Sequence, residues 1–127
     1  MFTHSDIISF HCYEDKEGPE KRIKDLKRFG RPMFCTEYMA RPFNSTFQEI
    51  LPLFIKYNIG AYNWGFVQGK SQTHCPWDSW QNAYEAEPDL WFHDIFRTEG
   101  QPYDKNEVEF LKEFIYLNTN NPELPEE

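Results

Sequence analysis

Apolar positions recur along this chain in two alternating rhythms. "DIISFHCY" (6 to 13) is β-branched at its start and polar at its end, the pattern of a strand leaving a core. "GPEKRIKDLKRFG" then switches to helical spacing, with Pro19 in the first turn, Ile23 and Leu26 on one face, basic residues late and Gly30 as the stop. "RPMFCTEYM" (31 to 39) predicts a second strand. "NSTFQEILPLFIKYN" predicts a second helix, opened by a Ser45–Gln48 capping box and carrying Phe47, Ile50, Leu51, Phe54 and Ile55 toward the core. Pro52 interrupts that stripe. It removes a backbone hydrogen bond at a cost of ~3 kcal/mol in a helix interior, so a kink or restart is expected there. "IGAYNWGFV" (59 to 67) predicts a third strand, and residues 68 to 103 a long irregular stretch that can hide short helices. A last helix starts at Asp104, capped with Glu107, and should bury Val108, Leu111, Phe114 and Ile115. Strands alternating with helices one βα unit apart predict a parallel α/β fold.

Parallel strands are buried on both faces, so a charge at mid-strand costs several kcal/mol of desolvation. Here the polar exceptions come late in each strand: His11 and Tyr13 on the first, Glu37 on the second, Asn63 and Trp64 on the third. Ligands of α/β sheets and barrels bind at those carboxyl ends. Alternation puts His11 with Tyr13, Met33 and Cys35 with Glu37, and Tyr62 with Trp64. If these faces converge, a carboxylate, an imidazole, a phenol and an indole share one pocket. The competing reading of Glu37 is a structural ion pair with Arg31 or Arg41.

Composition narrows the choice. A chain of 127 residues has room for one domain with a core. Aromatics at 18% can fill that core or offer stacking surfaces to flat ligands such as sugars. A net charge of -8, with basic residues scattered among acids, argues against nucleic acid. No apolar run approaches the roughly 20 residues that span a bilayer, which argues against a membrane partner, and residues 1 to 10 show no export signal. Cys12, Cys35 and Cys75 form no CxxC motif and read as small buried apolar residues. "GFVQGKS" (65 to 71) has three residues between its glycines where a phosphate loop needs four, and among His11, Cys12, His74, Cys75, His93 and Asp94 adjacent His and Cys on a strand face opposite ways and no ligand spacing repeats. Neither a cofactor nor a metal is called for.

Together "SFHCY", "RPMFCTEYMAR", "GAYNWGFVQGKSQTHCPW" and "WFHDIFRTEGQPYDKNEVEFLK" resemble the C-terminal part of (β/α)8-barrel glycoside hydrolases of the cellulase type, family 5-like and the related family 2-like catalytic domains. The resemblance covers nearly the whole chain. It implies three C-terminal βα units, strands six to eight, of a TIM barrel over residues 1–118, followed by an acidic tail over 119–127. It further implies that Glu37 is the nucleophile of a retaining mechanism, that Tyr13 donates its hydroxyl to Glu37, and that His11 bonds a sugar hydroxyl or orders the same carboxylate. Trp64 becomes the stacking floor under the cleaved sugar, and Gln68, Lys70, Gln72 and Trp77 line neighbouring subsites.

Retaining hydrolysis also needs a second carboxyl about 5 Å away, which in that family is the Glu of an Asn-Glu pair ending the fourth strand. The Asn-Glu at 106 and 107 opens a helix instead. The chain is therefore expected to be inactive alone, and to need a companion for its open sheet: the N-terminal barrel half or further copies of itself. A second hypothesis is a non-catalytic carbohydrate-binding or assembly module built on Trp64, Trp77 and Trp80. A third is a small doubly wound domain, which lacks a Gly-rich phosphate loop.

Overall fold

The computed structural model describes residues 4–120. In chain order the elements are β1 (Ile8–His11), α1 (Glu17–Lys27), β2 (Met33–Glu37), α2 (Phe47–Lys56), β3 (Gly60–Ala61) and α3 (Lys105–Thr119), with 3₁₀ turns at Arg41–Phe43 and Trp77–Trp80. The strands form a parallel sheet in the order β1-β2-β3. The sheet is open and does not close into a barrel. Among the described residues no helix is long and apolar enough to cross a membrane.

One face of the sheet carries the core. Ile8, Met33 and Cys35 pack with Ile23 and Leu26 of α1 and with Phe47, Ile50 and Phe54 of α2. Phe10 meets Phe54 edge-on at 6.4 Å between ring centroids. Each such aliphatic or aromatic side chain contributes roughly 1.5–3 kcal/mol on full burial. The other face is largely uncovered: Ser9 is exposed, Tyr62 is 60% exposed, and Phe34 is half-buried. The Phe34 ring lies so close over Gly60 that a Cβ there would come within 2.4 Å of it, so only glycine fits beneath this ring.

Local chemistry corrects several expectations. The third strand is far shorter than 59 to 67, because Asn63 folds back onto the carbonyl of Gly65 and Gly65 itself takes a φ of 91°. Further on, Val67 pairs with Phe96 instead of with β2. The cap of α2 is Thr46, whose hydroxyl accepts from the Glu49 amide; Ser45 is tied by its backbone to Ala40 and sits one residue too early. Pro52 neither kinks α2 into two elements nor restarts it: it lies on the exposed side, where the Gln48 carbonyl it leaves without a donor can be hydrated.

Asp104 caps α3 as expected, accepting from the Asn106 and Glu107 amides, but the Glu107 side chain turns inward. On α3 Val108 is buried, Leu111 and Phe114 are half-buried and Ile115 is 57% exposed. A three-stranded layer is too narrow to cover the whole stripe. The helix runs to Thr119, the first residue of the expected tail, and from residue 121 that tail lies outside the described residues.

Candidate functional site

Glu37 reaches the strand ends through an irregularity of the sheet. β1 and β2 pair Ile8 with Met33 and Phe10 with Cys35, but the next pair is His11 with Glu37. Thr36 is thus an extra residue on β2, and it moves Glu37 off the core face shared by Met33 and Cys35 to the side of His11. Simple alternation would have buried the carboxylate. The Cys12 amide donates to the Glu37 carbonyl at 2.9 Å, which holds the two strand ends together past the bulge. Arg22 of α1 fixes the outgoing chain by donating to the His11 carbonyl at 2.9 Å and to Glu14 at 2.8 Å.

The Tyr13 hydroxyl donates to Glu37 Oε2 at 2.7 Å, and His11 Nδ1 lies 3.4 Å from the same oxygen. Glu37 is one-quarter exposed and His11 about half exposed, so the carboxylate is accessible and held from one side. Burial, then the hydrogen bond and negative charge of Glu37, push the Tyr13 hydroxyl well above its ordinary range. It therefore stays a proton donor to the carboxylate.

An aromatic wall continues from Tyr13. Its ring meets Trp77 edge-on at 5.1 Å and His93 at 5.4 Å. Trp77 Nε1–H donates to His93 Nε2 at 2.8 Å, and the other His93 nitrogen, Nδ1, lies 2.7 Å from the Met39 carbonyl. A carbonyl can only accept, so His93 is neutral with its proton on Nδ1. Burial pushes its pKa below the ordinary imidazole value. Met39, whose carbonyl this is, has a φ of 65°, a left-handed conformation that costs a non-glycine residue about 1–2 kcal/mol.

Two recesses flank Trp77. One, of about 370 Å³, is bordered by His11, Tyr13, Glu14, Arg22 and Phe43. The other, of about 290 Å³, is bordered by Trp64, Trp80, Ser71, Thr73, Cys75 and His93. Trp77 lines both. A larger recess of about 390 Å³ lies between α1 and α2, lined by Lys16, Glu20, Glu49 and Lys56, and is not at the carboxyl ends of the strands. Its charged rim and distance from the aromatic wall set it apart from the site.

A buried ion pair supports the wall from behind. Arg41 binds Glu107 through two bonds of 2.6 and 3.0 Å, donates to the Trp91 carbonyl at 3.1 Å and the Asp94 carbonyl at 2.9 Å, and lies over the Tyr103 ring. The proposed pairing of Glu37 with Arg41 is thereby replaced: the Arg41 guanidinium is engaged with Glu107, and Arg31 is exposed. Asp94, fully buried, accepts from the Thr73 hydroxyl at 2.7 Å and faces His74 across 3.7 Å. A Cβ at Gly65 would meet Asp94 Oδ1 at 2.7 Å, so glycine lets the chain after Trp64 close over this carboxylate.

His11, Tyr13 and Glu37 come together as the sequence predicts, and Trp77 stands beside Tyr13. Trp64 joins this group through a shared recess with Trp77 and His93, and is half exposed. The loop residues divide differently. Lys70 and Gln72 are exposed while their neighbours Ser71 and Thr73 line the Trp64 recess, and Gln68 is half-buried with its amide toward His74 at 3.5 Å. Sequence reasoning gave no role to His93, considered only as a metal ligand, although it fixes Trp77. The signal was present in "WFHDIF", where two polar residues interrupt an apolar run just as Glu37 does. All three cysteines are free and buried, and among the described residues no three His, Cys, Asp or Glu side chains converge as metal ligands. No family model, curated protein or solved structure matches this chain.

Proposed function

We propose that this chain is the C-terminal three βα units of a (β/α)8-barrel retaining glycoside hydrolase acting on β-linked glycans, supplying the nucleophile and aromatic floor but not the acid/base. The observation that carries this reading is Glu37: an accessible carboxylate at a strand end, re-aimed by a bulge and held by the Tyr13 hydroxyl instead of an arginine. A nucleophile must be ionised, accessible and aimed, and a donor on one oxygen leaves the other to attack an anomeric carbon. Trp77, against the Tyr13 ring, and Trp64, in the recess it shares with Trp77, are half exposed and offer the flat apolar faces that pyranose rings stack on.

In this mechanism Glu37 forms a C–O bond to the anomeric carbon as the leaving oxygen departs, protonated by a carboxylic acid from the proposed companion units. Water, deprotonated by the same group, then releases the sugar. The open sheet with its uncovered Phe34 and Tyr62 face supports a companion layer, either the N-terminal five units or another copy.

Hydrolysis of an aryl β-glycoside tests the proposal. The chain alone is expected to be inactive, and joined to five βα units whose fourth strand ends in Asn-Glu it should turn over. Glu37→Gln should then lower kcat at least about a thousandfold. Turnover that survives this substitution removes Glu37 from the chemistry. The recess of Trp64, Trp77 and Trp80 favours a second reading, a carbohydrate-binding or assembly module, in which oligosaccharide binding is seen without any turnover and is lost on replacing Trp77 but not Glu37.

A further inference from the structure

We infer that His93 is a positioning residue that latches Trp77 in place only while its imidazole is neutral, so that acidification frees the aromatic wall between the two recesses. The Trp77 indole has one polar group, a donor, and it is spent on His93 Nε2 at 2.8 Å. That nitrogen can accept only when bare. The proton must then sit on Nδ1, where the Met39 carbonyl at 2.7 Å receives it. Both bonds have ordinary lengths, and the ring is 1% exposed, so water cannot substitute for either partner.

Adding a second proton leaves two N–H donors facing each other across the Trp77 bond. The indole must then swing away, because His93 is fixed from the far side by Met39 O and by Tyr13, whose ring lies 5.4 Å away. Trp77 has somewhere to go. It is 47% exposed, leans on Phe43 at 5.1 Å and Phe92 at 5.7 Å, and borders open recesses on both sides.

The charged groups around His93 set where this happens. Glu37 at the end of β2 and Asp94 beside it favour the protonated ring, while Arg41 opposes it. Burial is larger than any of these and also opposes the proton. The transition is therefore expected below the ordinary imidazole value of 6.5. His11 beside Glu37 and His74 beside Asp94 are the other imidazoles of the site.

The latch rests on the glycoside reading only for the use made of Trp77, and its test needs no sugar. In the ¹⁵N-labelled full chain at pH 7.5, the His93 ring should show a protonated Nδ1 and a bare Nε2. The Trp77 indole N–H, identified by its absence in Trp77→Phe, should be protected from water. Lowering the pH to 5 should cut its protection factor, taken against the intrinsic indole N–H exchange rate at the same pH, at least tenfold while the circular dichroism holds. In His93→Gln, whose amide oxygen can accept from Trp77 and does not titrate in this range, the protection factor should hold throughout. A proton on Nε2 at pH 7.5, or an unchanged Trp77 protection factor down to pH 5 in the native chain, overturns the inference without needing any variant. So does a His93→Gln chain that loosens with pH as the native one does. Cellotetraose binding to the chain joined to five βα units whose fourth strand ends in Asn-Glu should weaken at least threefold at pH 5 with native His93 and not with His93→Gln. A latch seen by NMR with no cellotetraose bound at either pH upholds the latch and counts against the glycan reading.

Discussion

Glu37 shows how much one inserted residue can decide. Without Thr36 as the extra position on β2, its carboxylate would share the core face of Met33 and Cys35 and would require a buried partner. With it, the group is accessible and bonded by Tyr13. Tyr13→Phe removes that donor, and a hydrogen bond to a charged group is worth about 1.5–3 kcal/mol. Under the proposed glycosidase reading, kcat of the chain joined to five βα units should fall roughly 10- to 150-fold with little change in circular dichroism. Arg41 is the opposite case, a charge that is wholly structural, with 6% of its side chain exposed. Arg41→Met should cost about 3–5 kcal/mol, because it strands the Glu107 carboxylate in the interior. Adding Glu107→Leu should recover part of that loss, as read from urea unfolding midpoints. The meeting of Tyr13 with Glu37 was legible in the sequence through strand-end placement, and the bond between them only as what the resemblance implies. The Arg41–Glu107 pair was not, since 66 positions separate its members and Glu107 looked like the second half of a capping box.

At the scale of elements, periodicity placed all three helices and the first two strands. Errors fell where a neighbour outside the element decided the outcome. Ser45 lost the cap to Thr46 because Ala40 claims its backbone. The third strand shrank because Asn63 and Gly65 bend the chain and Phe96 takes Val67 as its partner. Pro52 survives inside α2 by lying on the solvent side, which avoids burying an unpaired carbonyl but still forfeits a helical hydrogen bond. Pro52→Ala should therefore stabilise the chain by about 1–3 kcal/mol, seen as a higher urea midpoint at constant slope. No gain would mean that the helix has adapted fully to the missing donor.

At the scale of the molecule, a three-stranded sheet with helices packed against one face leaves Phe34 and Tyr62 at the surface of the other. The net charge of -8 opposes indiscriminate association, so a specific covering layer is favoured over general collapse. The isolated chain should associate with rising concentration in sedimentation velocity, and Tyr62→Lys should shift it toward monomer. A monodisperse monomer over the whole concentration range would reject an uncovered interface.

The sequence by itself determined the alternation of strands and helices, the parallel class, and the gathering of polar residues at strand ends. These follow from side-chain period and from the cost of burying charge, both of which are local. Tertiary structure alone decided which way Glu37 faces, which residue Arg41 neutralises, and that His93 holds Trp77. Each of those depends on a register shift or on partners distant in the chain, and no periodicity within a single segment encodes either.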